Sequence, residues 1–190
     1  MGRCNDGRYR VAVTDETNRW AIQLAKILTH RGILLVTAES CTGGGIAEAL
    51  TSVPGSSQWF DRGFVTYSNA AKVDMLGVEP SLIAHWGAVS EPVVAAMVGG
   101  ALDRSQADLA VAVTGIAGPT GGTPDKPVGT VWFGLARRPY PVHTFCRCFE
   151  GGRQAVRQHA VVSAIGALIQ LLDDEEGVLS SGLTLPKVQR

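Results

Sequence analysis

Ser40 and Cys41 sit side by side in the run Thr37-Ala38-Glu39-Ser40-Cys41-Thr42-Gly43-Gly44-Gly45, a hydroxyl and a thiol ahead of three glycines. Either atom can attack a carbonyl once a base takes its proton, and a serine in such a place can also bind phosphate or cap a helix. Helix N-termini lower thiol pKa values, which makes Cys41 a rival nucleophile. Two further segments carry reactive types. Tyr67-Ser68-Asn69 is followed by Lys72, and Thr114-Gly115-Ile116-Ala117-Gly118-Pro119 opens a run rich in Gly, Pro and Thr up to Pro127. A lysine early in a helix is disfavoured as a cation by the helix dipole, and burial lowers its pKa further, as a neutral-amine base requires. Tyr67 could relay a proton, Thr114 could donate to a carbonyl or oxyanion, and Arg153 with Arg157, one helical turn apart, could clamp a phosphate or carboxylate. Taken singly, each residue also has a plain structural use: Ser40 as a cap, Lys72 and the arginines as solvated charges.

The elements around these residues share one feature. Ile33-Leu34-Leu35-Val36 predicts a strand over 33–38 that ends at Glu39-Ser40, and Ile46-Ala47-Glu48-Ala49-Leu50 predicts a helix over 43–52. Tyr67 closes a strand predicted over 61–67, and Ser68-Asn69 caps a helix over 70–76 ended by Gly77. Thr114 closes a strand over 108–114 whose apolar run suits burial on both faces. All three polar segments thus fall at or just beyond the C-terminal ends of strands, where ligands gather in open α/β sheets. The remaining pattern predicts a helix from Thr14 or Asp15 to about His30, a short helix from Pro80 to Trp86, a helix started by Ser90-Glu91-Pro92, a hairpin of strands 128–136 and 141–149, and a last helix from Arg153 to Leu172. The fold class is α/β: a three-layer α/β/α sandwich around a mixed, mostly parallel sheet of about five strands. One domain is expected over 14–173, with tails at 1–13 and 174–190.

Composition narrows the function. The 190 residues are 45% hydrophobic and 18% charged, and seventeen basic residues balance seventeen acidic ones. No global positive field draws nucleic acid. No signal sequence is evident and no apolar run is expected to cross a membrane, so a cytoplasmic location is expected. Cys4, Cys41, Cys146 and Cys148 lack zinc-ligand spacing and are expected as free, buried or half-buried thiols, with no metal site. The four histidines, His30, His85, His143 and His159, fall away from the three polar segments, which argues against a Ser-His-Asp triad. Neither G-x-S-x-G nor a P-loop pattern is present.

With these motifs in place, the chain resembles the CinA C-terminal domain family. The matching runs are Ala38-Glu39-Ser40-Cys41-Thr42-Gly43-Gly44, Tyr67-Ser68-Asn69 with Lys72, Gly87-Ala88-Val89-Ser90, Thr114-Gly115-Ile116-Ala117-Gly118-Pro119 and Lys126-Pro127-Val128-Gly129-Thr130-Val131. The resemblance implies hydrolysis of the carboxamide of nicotinamide mononucleotide by a serine–lysine mechanism without cofactor or metal. Carried over, Ser40 is the nucleophile, Lys72 the base and Tyr67 its helper. Glu39, Cys41, Thr42, Gly43, Gly44, Thr114, Gly115, Ala117, Gly118, Arg153 and Arg157 are implied to line the substrate. The expected partner is a small pyridine nucleotide, with no nucleic acid or membrane, and the chain is expected to form a homo-oligomer. The family's larger form carries a further N-terminal molybdopterin-binding-like domain, and this chain is expected to be the single-domain form. Gly152 stands where family members often have aspartate. The alternative is a nucleotide-binding or regulatory module that uses the same pocket without turnover.

Overall fold

The computed structural model describes the backbone of residues 7–181 and the side chains of 16–174. In chain order the elements are α1 (Gly7–Arg31), β1 (Leu35–Glu39), α2 (Gly45–Thr51), β2 (Phe60–Val65), α3 (Asn69–Leu76), α4 (Pro80–Trp86), α5 (Glu91–Asp103), β3 (Leu109–Gly115), β4 (Thr130–Arg137), β5 (His143–Cys148) and α6 (Arg153–Ser181). The five strands form one sheet in the order β2-β1-β3-β4-β5. β1 runs parallel to β2 and β3, whereas β4 is antiparallel to both its neighbours. Every strand except β4 therefore points the same way, which gives the mixed, mostly parallel sheet read from the sequence. The largest extensions past the expected boundaries are at the two ends: α1 starts at Gly7 rather than Thr14 or Asp15, and α6 continues past Leu172 to Ser181. Of the expected tails, residues 1–6 and 182–190 lie outside the described residues, as does Cys4.

Each face of the sheet carries its own core. On one side Leu35, Leu109, Val111, Val113 and Phe133 meet Leu24 and Leu28 of α1, Ile46 and Leu50 of α2, and Val156, Ile165 and Leu168 of α6. On the other, Val36, Ala38, Ala110 and Ala112 meet Leu76 of α3, Ile83 of α4 and Val94, Met97 and Val98 of α5. Side chains alternate across a strand, so a continuous apolar run such as Leu109 to Val113 serves both layers at once. α6 departs from the expectation that no apolar run could cross a membrane: within Arg153–Asp174 the mean hydropathy reaches 1.4, long and apolar enough by length and composition to do so. Its apolar side is spent on the core instead, with Val156, Ala160, Ala164, Ile165, Leu168 and Leu172 buried.

The register sets the tips of the central strands level. Glu39 pairs with Val65 of β2 and with Val113 of β3. One residue on, the Ser40 N–H donates to Val113 O at 2.9 Å, and the Thr66 N–H donates to Glu39 O at 2.8 Å. The chain then turns through Gly43 (φ 60°) and Gly44 (φ 92°), left-handed conformations that side chains resist, before α2 begins. α3 is held close to α5: a Cβ on Gly100 would lie 2.0 Å from Leu76 O.

Candidate active site

Lys72 is the central finding. It is 1% exposed, on the fourth residue of α3, and its Nζ lies 3.1 Å from Ser40 Oγ and donates to Thr66 O at 2.7 Å. α3 is aimed by its cap. The Ser68 Oγ accepts the Ala71 N–H at 3.0 Å, as the sequence expects, and this fixes the helix start at Asn69, four residues after the end of β2 at Val65. Burial holds the Lys72 pKa below its ordinary 10.5, opposed in part by the neighbouring Cys41. Among the described residues no carboxylate pairs with the amine, and desolvation favours its neutral form, which can accept a proton from Ser40 Oγ. Among the described residues no histidine hydrogen-bonds Ser40.

Glu39 and Cys41, both expected to contact substrate, point elsewhere. Glu39 is fully buried, and its carboxylate accepts the Ile46 N–H at 3.0 Å, the Ala47 N–H at 2.8 Å and the Thr37 hydroxyl at 3.3 Å. It is the anion at the α2 N-terminus, so the amides of the helix start are already occupied. Free donors instead lie in the turn itself: the Cys41, Thr42 and Gly44 N–H groups donate to no protein oxygen among the described residues. Cys41 is 5% exposed and belongs to the core beside α6. Burial raises its thiol to a pKa of about 11, with the Glu39 charge adding to the effect. The thiol is thus not activated, because desolvation outweighs the lowering by its backbone hydrogen bond, Lys72 and Arg157. Cys146 and Cys148 are exposed on β5 rather than buried.

The other expected residues divide into a rim and its supports. Tyr67 lies beyond β2, 57% exposed, and its hydroxyl pairs with Arg153 rather than with Ser40 or Lys72. Arg153 also donates to Gly118 O at 3.0 Å, so it spans the mouth from the β3 loop to Tyr67. Arg157 donates from Nε to Cys41 O at 3.2 Å and from Nη2 to Thr42 O at 2.8 Å, gripping the turn that follows the nucleophile. Thr114 is buried and donates to Ala88 O at 2.8 Å, so its hydroxyl ties the segment before α5 across the β3 tip. Ala117 is part of the core, and Gly115 packs where a Cβ would meet Val131 and Thr130 O. Ser90 does not cap α5 with its side chain, since its hydroxyl donates to Gly87 O. Two groups escaped the sequence reading. The Thr66 carbonyl orients Lys72, and the Lys126 ammonium, 2.9 Å from Trp86 O, tethers the glycine-rich loop to α4. Backbone acceptors leave no residue-type signal, so only the strand end at Tyr67 hinted at Thr66.

Fold and site together define an α/β/α domain in which a serine on a strand-to-helix turn faces a buried lysine. The CinA C-terminal domain family model matches residues 17–172, and the chain belongs to that family. The chain is 52% identical to the nicotinamide-nucleotide amidohydrolase PncC of Escherichia coli K12 over 148 residues, covering 78% of this chain and 90% of that protein. A Pseudomonas putida protein of the same name is 52% identical over 159 residues, 83% of this chain and 98% of the relative. A putative competence-damage inducible protein of Symbiobacterium thermophilum is 50% identical over 178 residues, 90% of this chain but only 41% of the relative. Among solved structures, a competence/damage inducible protein, CihA, from Agrobacterium tumefaciens superposes with a TM-score of 0.80 at 46% identity, covering 82% of this chain and 95% of that one.

Proposed function

We propose that this chain is an amidohydrolase that converts nicotinamide mononucleotide to nicotinic acid mononucleotide and ammonia, with Ser40 as nucleophile and Lys72 as its base. The relatives named nicotinamide-nucleotide amidohydrolase, at 52% identity over most of the chain, support the reaction. The observation that carries the mechanism is the 3.1 Å approach of Lys72 Nζ to Ser40 Oγ in a buried setting. Neutral Lys72 takes the Ser40 proton as Oγ bonds to the carboxamide carbon. The oxyanion that forms is held by N–H donors of the 40–44 turn, where those of Cys41, Thr42 and Gly44 donate to no protein oxygen among the described residues. The C–N bond breaks as Lys72 returns the proton to nitrogen, and ammonia leaves. Water then attacks the acyl-enzyme, gives its proton to Lys72, and Ser40 recovers it on release of the acid. Throughout, the Thr66 carbonyl keeps the amine pointed at Oγ. Thr114 supports the wall of the site through Ala88 rather than meeting the oxyanion. Arg153, at the mouth beside Tyr67, supplies the cation for the substrate's phosphate.

Ammonia release from nicotinamide mononucleotide tests this directly. Wild type should turn over, and Ser40→Ala should fall by several orders of magnitude with its fold intact. Tight binding by wild type without ammonia would instead favour a non-catalytic nucleotide-binding module.

A further inference from the structure

Cys146 and Cys148 are reactive side chains that the chemistry at Ser40 leaves unused. They stand two residues apart on β5, an edge strand of the sheet, and both are exposed. Alternate strand residues share a face, so the two thiols point the same way. Arg147, between them, lies over the Phe145 ring on the other face, the one packed toward α6. The thiols face the α5 side. Cys146 pairs with Trp132 of β4, which packs against the α5 core, and the nearby Thr144 hydroxyl donates to Glu91 Oε1 at 2.8 Å. Among the described residues no third Cys, His, Asp or Glu joins them in a metal-binding group.

The spacing decides what such a pair can do. An antiparallel strand rises about 3.4 Å per residue, so Cα atoms two residues apart are separated by about 6.8 Å. That is the upper end for a disulfide, and side chains leaving the strand in parallel keep the Cβ atoms well beyond the roughly 4.5 Å that a disulfide tolerates. Zinc takes four ligands where this pair offers two. A linear sulfur–metal–sulfur unit fits better. With bonds near the roughly 2.3 Å of metal thiolates it spans about 4.6 Å, a gap that two Sγ atoms close by leaning toward each other through their χ1 rotamers. Little holds them back: Cys146 Sγ rests on Arg147 O and Cys148 Sγ on Val128 O, each at 3.9 Å. Partial burial and then the Cys148 charge raise the Cys146 thiol above its ordinary 9.0, against a backbone hydrogen bond at Val131. Two thiolates this close repel, and a cation between them removes the repulsion. Among soft cations, thiolate pairs select the cuprous ion.

We propose that Cys146 and Cys148 bind one cuprous ion as a two-coordinate bis-thiolate at the edge of the sheet. Two S–H bonds break, two Cu–S bonds form and two protons leave to solvent, with no electron transferred. The site shares no residue with the proposed deamidation and does not depend on it.

The test is anaerobic titration of the reduced full-length chain with cuprous ion against bicinchoninate, whose coloured cuprous complex reports how much copper the protein withdraws. Wild type should take about one copper per chain. Cys146→Ser and Cys148→Ser should each weaken binding at least about a hundredfold, since even the groups behind a metal ligand are worth roughly 10–100-fold. Cys4→Ser and Cys41→Ser should leave the affinity within a few fold, and excess zinc should not displace the copper. X-ray absorption at the copper edge should show two sulfur neighbours and no third ligand. The proposal is overturned if wild type withdraws no copper, if either single variant at 146 or 148 binds as well as wild type, or if zinc competes on equal terms. A third ligand at the copper would overturn it as well. So would half a copper per chain with a copper-dependent dimer on gel filtration, which would place the ion between two copies.

Discussion

Replacing Lys72 with methionine keeps the volume of the buried stem and removes only the amine. The structure offers no second base at 3.1 Å from Ser40 Oγ among the described residues. General-base catalysis contributes roughly 10²–10⁴-fold, and losing a residue that acts as a unit with the nucleophile removes more. The expected fall in kcat/KM is therefore at least about 10³-fold, or roughly 4 kcal/mol of barrier. Stability should change little. The Thr66 carbonyl loses its donor, a cost of about 1–3 kcal/mol, but the penalty of burying an amine also disappears. The pH dependence carries the sharper test. Burial lowers the Lys72 pKa from 10.5, so wild-type activity should rise with pH as the folded-state amine loses its proton. Between that lowered value and 10.5 the unfolded chain binds the proton that the folded chain gives up. Folding stability from this group therefore rises with pH across that window, and its burial penalty is full below the folded value. Lys72→Met should abolish both trends, and Lys72→Arg, always cationic, should be as inactive as the methionine variant. The measurements are initial rates of ammonia release and denaturant midpoints over the same pH series. Ammonia release by Lys72→Met within tenfold of wild type, or an unaltered rise of activity with pH, would refute the assignment of the base.

Cys41→Ser should retain deamidation within a few fold, because a core thiol with a pKa of about 11 is protonated at neutral pH; a rate loss comparable to that of Ser40→Ala would revive the thiol mechanism. Glu39→Gln should cost about 1–2 kcal/mol of folding stability, since it weakens the anionic cap of α2, and a denaturation midpoint reads it. Gly100→Ala should destabilise by about 1–3 kcal/mol through the clash with the Leu76 carbonyl, and the displaced α3 should lower kcat as well, seen in parallel melting and rate measurements.

Much of this protein is written locally. The apolar runs at Leu35–Val36 and Leu109–Val113 fix buried strands, and the Ser68 hydroxyl and Gly77 mark where α3 starts and stops. Such signals depend on backbone conformation within a few residues, so they survive in a single sequence. The long apolar pattern of α6 shows the limit of that logic: composition alone suits a membrane, and only packing against α1 and the sheet assigns it to the core. The same division holds at the site. Glu39-Ser40-Cys41 offers three candidates in consecutive positions, and β alternation with the following turn sends the carboxylate under α2, the thiol into the core and the hydroxyl toward Lys72. Tyr67 looked like a proton relay by proximity to Lys72 in the chain, yet it lies past the strand end, where it faces Arg153 across the mouth.

The sequence by itself determined the element types, the positions of the polar segments at strand ends and the family, because each rests on short-range periodicity and motif spacing. The tertiary structure alone decided which of those polar groups are spent on the protein's own backbone and which stay free. Lys72 becomes a candidate base only because parallel pairing of β1 and β2 levels their tips and brings residues 32 positions apart to 3.1 Å in a place that excludes water. Burial lowers the pKa of Lys72 and raises that of Cys41, and burial is a property of the packed layers rather than of any segment.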